Sequence, residues 1–114
     1  LELANGETVY EHVATLAEAW NTNDNVGLVV GATAPKELEE LREQVPDLPF
    51  LVPGVGAQGG DEAAAVEYGL ADGVGLVNSS RGIIFAGEDH AGEDFFKAAG
   101  QSAKQLRDTL NRHR

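Results

Sequence analysis

Cysteine and methionine are both missing from these 114 residues. Without cysteine there is no disulfide framework, no thiolate nucleophile and no cysteine-based zinc site. That usage suits a reducing compartment, so a cytoplasmic location is expected. Cations are scarce: eight Lys and Arg face nineteen Asp and Glu, for a net charge of −11. Holding a phosphate backbone or an anionic bilayer needs clustered cations, so neither nucleic acid nor a membrane is an expected partner. No apolar run approaches the ~20 residues of a membrane span, and no signal-peptide pattern opens the chain. A chain without methionine that opens Leu1-Glu2-Leu3 reads as a piece of something longer. The three histidines, His12, His90 and His113, lie far apart and fit no metal or triad spacing. They read as surface residues, and no metal is expected. Asn78-Ser79-Ser80 matches a glycosylation sequon, but no secretion signal supports that use.

What is present is a globular composition, 42% hydrophobic and 24% charged. The length suits a single segment, residues 1–114, with no second domain. The acidic excess is explained sufficiently by solubility. A sharper reading is adaptation to high salt, where dense carboxylates keep a hydrated surface. The presence of only three lysines, Lys36, Lys97 and Lys104, favours it.

The hydrophobic pattern alternates between helix and strand. Asn5-Gly6 marks a turn. Val9, Val13, Leu16 and Trp20 then line one face of a helix. Val26-Gly27-Leu28-Val29-Val30 is a short apolar run without alternation, as in a parallel strand buried on both faces. Thr33 is positioned to cap a second helix, with Pro35 in its first turn and Leu38, Leu41 and Val45 facing inward. Phe50-Leu51-Val52 gives a second strand. A Gly-rich loop from Pro53 to Gly60 follows, then a short helix capped by Asp61 and ending near Gly69. Val74-Gly75-Leu76-Val77 gives a third strand, and residues 78–82 a polar loop. Phe95 or Phe96 with Ala99, Ala103, Leu106 and Leu110 form the stripe of a last helix. Tyr10, Trp20, Phe95 and Phe96 read as core or interface aromatics. The strands, near 26–31, 50–53 and 74–78, start at even spacing. This order predicts an α/β fold of right-handed βαβ units with a parallel sheet. Three strands leave two open edges, so either more strands exist elsewhere or this is a small open sheet.

Two loops carry the chemistry. Gly54-Val55-Gly56-Ala57-Gln58-Gly59 is G-x-G-x-x-G between a strand and a helix. Glycines there let the backbone approach a phosphate, and a helix start offers unpaired N–H groups. A dinucleotide site would also want an acid just past the next strand. The nearby acid, Asp72, precedes that strand, so a plain phosphate loop is favoured over a dinucleotide fingerprint. A Gly-rich turn with no ligand remains open for such a loop read alone. The next loop, Asn78-Ser79-Ser80-Arg81-Gly82, carries the only cation between Arg42 and Lys97. An isolated Arg after a buried strand serves either as an ion-pair partner or as a forked phosphate donor. Two such loops converging on one anion is the recurring phosphate site of (β/α)8 barrels.

Three strings together resemble the orotidine 5′-phosphate decarboxylase family, best its longer microbial branch, sometimes called type 2. They are Val29-Val30-Gly31-Ala32-Thr33, Leu51-Val52-Pro53-Gly54-Val55-Gly56-Ala57-Gln58-Gly59-Gly60 and Val77-Asn78-Ser79-Ser80-Arg81-Gly82. They look like strand six, strand seven with its loop, and strand eight with its loop. The resemblance implies a (β/α)8 TIM barrel of which this chain supplies about the last three βα units. It implies decarboxylation of orotidine 5′-phosphate (OMP) to UMP and CO2 in pyrimidine biosynthesis, without metal or organic cofactor, by a homodimer. The alternative is a small phosphate- or dinucleotide-binding α/β module built on the GVGAQG loop.

The resemblance also assigns residues. Gln58 and Arg81 would hold the substrate phosphate with their side chains, and Ser80 and Arg81 would offer backbone N–H groups. Pro53 and Val55 would line the pocket near the pyrimidine. Some family members add a phosphate-binding Tyr three residues after the Arg; Ile84 stands there, and the role is not carried over. The family's catalytic D-x-K-x-x-D array is absent from this chain. The chain alone is therefore expected to be inactive, and the remaining barrel segment is its expected partner.

Overall fold

Asn5-Gly6 does turn the chain: Gly6 adopts φ 85°, and its N–H donates to the Leu3 carbonyl at 3.0 Å. The computed structural model describes residues 1–56, 61–71, 73–88 and 92–114. Helix α1 (Val9–Trp20) leads to strand β1 (Leu28–Val29), helix α2 (Pro35–Gln44) and strand β2 (Phe50–Val52). After the Gly-rich loop, α3 (Glu62–Ala64) runs on as a π-helix over Ala65–Leu70. Strand β3 (Gly75–Val77), a single-turn helix α4 (Arg81–Ile84) and the long α5 (Glu93–Arg112) complete the chain.

The sheet is parallel, in the order β1-β2-β3. Leu28 pairs with Phe50 and Phe50 with Gly75; Val29 pairs with Leu51 and Leu51 with Leu76. The β1–β2 ladder outruns the two residues of β1. Leu28 N–H donates to Pro49 O, Val30 N–H to Leu51 O and Ala32 N–H to Pro53 O, at 2.9–3.0 Å. The α/β class, the parallel sheet and the three strand positions agree with the sequence reading.

Several finer expectations are corrected. The strands are not buried on both faces. One face carries Phe50 and Val52, which are fully buried with Leu38, Val45 and Leu48 of the α2 side. On the other face the Val29–Leu51–Leu76 row is open, with Val29 69% and Leu76 67% exposed. Alternation of the pleat puts the two rows on opposite faces, and helices cover only one of them here. Ala34, not Thr33, is the N-cap of α2, and no side chain caps it. Pro35 at the first helical position needs no N–H partner and presets φ, which lessens the need for a cap. The 78–82 loop is shorter than expected, because Arg81 already opens α4. Phe95 rather than Phe96 joins the α5 stripe; Phe96 is 74% exposed and Trp20 65%. Asp61 caps α3 as expected, its carboxylate accepting from Ala64 N–H at 2.9 Å.

One side chain that the periodicity did not single out fastens the base of the sheet. Arg42, in the last turn of α2, donates to the carbonyls of Val45, Pro46 and Leu48 in the α2–β2 connection. It also donates to Tyr68 O at 2.6 Å and Gly69 O at 2.8 Å in the π-helix. Its guanidinium lies 3.8 Å from the centroid of the Phe50 ring. Burial pulls the Arg42 pKa down, and the nearby Asp47 carboxylate opposes the shift. Helix ends leave carbonyls unpaired, and a rigid five-donor fork serves several at once. Replacing Arg42 with Met removes the donors and keeps the stem. A destabilisation of roughly 3 kcal/mol is expected, with Arg42→Lys intermediate, since unsatisfied buried groups each cost about 1–3 kcal/mol. Urea unfolding checks this: matching midpoints for wild type and Arg42→Met would contradict the clamp.

Candidate functional site

The Gly-rich loop is pinned at both ends by one buried residue. Ala32, just past β1, donates its N–H to Pro53 O at 3.0 Å and accepts from Asp61 N–H at 3.1 Å. Between these points Gly54 takes φ 88° and Gly56 φ 83°. Side-chain-bearing residues pay about 1–2 kcal/mol in that left-handed region, so the sequence needs glycine at both. The reversal at Gly54 leaves Val55 2% exposed, within the core cluster under the loop. Pro53 is half-buried at the head of the loop. Gln58 lies outside the described residues, as does Asp72.

The loop after β3 meets the first one. A methyl group built on Gly56 would lie 3.6 Å from Ser79 Oγ. Gly56, Ser79 and Gly82 share a cleft of about 250 Å3 with α5 residues. Ser80 is exposed and is the N-cap of α4. Arg81, also exposed, occupies the first position of that helix, and Ile84 N–H closes the turn on Ser80 O at 2.8 Å. Among the described residues, no carboxylate pairs with Arg81. The ion-pair role is therefore not supported among them. The Gly54–Gly56 backbone, Ser79, Ser80 and Arg81 thus lie on consecutive loops at the C-terminal end of the strands. Glycine backbone, hydroxyls, early-turn N–H groups and a guanidinium together suit a tetrahedral anion. Asn78, just past β3, is exposed and carries no charge for a dinucleotide ribose.

Other candidates stay apart from this end. His12 is exposed, with Nδ1 3.1 Å from Glu7 Oε2. His90 lies outside the described residues. No group of three metal-ligating side chains occurs among the described residues. No helix among them is long and apolar enough to cross a membrane. Sequence motifs single out neither Ala32 nor Ser79 as a site residue. Ala32 acts only through backbone groups, which no side-chain pattern reveals. Ser79 sat in the quoted string, but only the fold shows which hydroxyl faces Gly56.

The model of the orotidine 5'-phosphate decarboxylase / HUMPS family matches residues 2–94. The chain belongs to that family. It is 73% identical to an orotidine 5'-phosphate decarboxylase of Haloarcula marismortui and 65% identical to that of Halorubrum lacusprofundi. In both comparisons all of the chain is covered, against 43% and 45% of the relative. The chain therefore spans less than half the length of these relatives. Among solved structures, the OMP decarboxylase of Leishmania donovani superposes with a TM-score of 0.69 at 38% identity. That match covers 96% of this chain and 41% of the other. The UMP synthase of the same organism gives 0.71 at 42% identity, covering 96% and 24%. The open three-stranded sheet is accordingly part of an OMP decarboxylase family (β/α)8 barrel.

Loop strain yields a paired prediction of opposite sign. Gly56→Ala has room but the wrong φ, and a loss of about 1–2 kcal/mol is expected. Gly100→Ala, inside α5 with nothing within 4 Å, gains up to about 1 kcal/mol. Denaturant midpoints measure both; shifts of the same sign would contradict the assignment of strain to Gly56.

Proposed function

We propose that this chain supplies the last three βα units of an OMP decarboxylase barrel, as one segment of one domain, and carries the substrate-phosphate half of its active site. The complete protein is then a lyase that converts OMP to UMP and CO2 in pyrimidine biosynthesis. The observation that carries the reading is the convergence of the Gly54–Gly56 loop on Ser79, with Arg81 opening a helical turn beside them. Family membership and the high identity to named OMP decarboxylases support the same chemistry.

In this reading the Arg81 guanidinium and the Gln58 amide hold the phosphate, and Ser80 and Arg81 add backbone N–H groups. Pro53 borders the pyrimidine pocket, and Val55 contributes to that wall from beneath. Binding energy gathered at the phosphate is then used at the distant reacting carbon. The chemistry itself falls to the Lys and Asp groups of the remaining barrel segment, where a Lys ammonium would protonate the carbanion-like centre. This chain holds no D-x-K-x-x-D array and is inactive by itself. The full enzyme works as a cytoplasmic homodimer without metal or organic cofactor. Its acidic surface, net −11 in this segment, suits high salt. A dinucleotide module on the GVGAQG loop is disfavoured by Asn78, which stands where an acid would read the ribose.

Arg81→Ala in the full-length protein tests the phosphate role. A charge-assisted contact contributes about 1.5–3 kcal/mol, so kcat/KM for OMP is expected to fall roughly 10- to 150-fold. An unchanged kcat/KM would refute the role.

A further inference from the structure

The turn that presents Arg81 is not held by its own loop alone. It rests on α5. Ser102 Oγ donates to Gly82 O at 2.8 Å, a half-buried bond that spans twenty residues of sequence. The same segment meets α5 again at Gly87, which is buried. A methyl group there would fall 2.9 Å from the Phe95 backbone and 3.0 Å from the Ala98 side chain. Residues 82–87 are therefore fixed to α5 at two points, one polar and one steric. A helix of a single turn has little stability of its own, so its direction is set by what it packs against. Ser102 lines the far side of the cleft that Gly56 and Ser79 share. It acts on the residue next to Arg81.

We infer that Ser102 is a positioning residue for the phosphate site: its hydroxyl, bonded to the Gly82 carbonyl, fixes the first turn of α4 and hence the direction of the Arg81 guanidinium. This deepens the reading in which Arg81 grips the substrate phosphate and rests on it. The Ser102 bond holds the guanidinium and the early N–H groups aimed before ligand arrives, which lessens the ordering needed on binding. Without it the carbonyl loses its partner and the turn is free to shift, while the pyrimidine pocket, built on other loops, is untouched.

The discriminating readout is the preference for UMP over uridine in the full-length protein, since the two ligands differ only by the phosphate. Affinities are measured by calorimetry for wild type, Ser102→Ala, Arg81→Ala and the double variant. Ser102→Ala is expected to reduce the preference roughly two- to tenfold, the reach of one hydrogen bond, with uridine affinity unchanged. Retained uridine binding also reports that the variant is folded. In the double variant the Ser102 effect is expected to shrink to the part carried by the backbone N–H groups, because the rest acts through the Arg81 side chain. If Arg81→Ala lowers the preference and Ser102→Ala leaves it intact, the positioning role fails while the phosphate reading stands. An equal loss of UMP and uridine affinity in Ser102→Ala would likewise make its role merely structural. If Arg81→Ala leaves the preference intact, the phosphate reading fails, and this inference with it.

Discussion

The guanidinium of Arg42 is the contact on which the described structure most depends. It joins three carbonyls of the α2–β2 connection to two of the π-helix while stacking on Phe50. A π-helix gives its carbonyls to donors five residues on, and the last of them run out of partners at the turn around Ala71. Arg42 fills that role at the end of the sheet where β2 begins. With this end fixed, the opposite, C-terminal ends of the strands are free to carry loops of unusual backbone. Barrel enzymes divide their labour in the same way, with stability at one face and chemistry at the other.

The C-terminal end is organised by backbone geometry more than by side chains. Ala32 holds both ends of the Gly-rich loop, and two left-handed glycines shape it. Ser79 approaches from the next loop, and Arg81 stands one turn further on. In a chain with a net charge of −11, a single cation placed at such a point is a strong local feature. On the proposed function, carboxylate repulsion elsewhere disfavours anions, and selectivity for the phosphate would rest on Arg81 and on oriented N–H dipoles.

The element order, the parallel sheet and the two loops could be read from the sequence because each has a short-range cause. Helical periodicity gave α1, α2 and α5, and unbroken apolar runs gave the three strands. The Asp61 cap was visible from its place before Ala63 and Ala64. The open face carrying Val29 and Leu76 was not visible, because a strand's composition records the environment of the whole barrel rather than of this segment. Trp20 and Phe96, which read as core or interface aromatics, are exposed in the segment. Thr33 failed as a cap because the chain turns one residue later, at Ala34. Arg42 was hidden since its partners are main-chain carbonyls up to twenty-seven residues away, and carbonyls leave no trace in sequence. At the candidate site, Arg81 was marked by its isolation among acids, whereas Ser102 becomes visible only once α5 lies against α4.

On the proposed function, these two consecutive loops hold the phosphate of a nucleotide substrate. A crystal structure of the full-length protein with UMP bound tests it most directly. The phosphate is expected between the Gly54–Gly56 loop and the first turn of α4, with the Arg81 guanidinium donating to its oxygens. A phosphate seated elsewhere, with Arg81 turned to solvent, would contradict it.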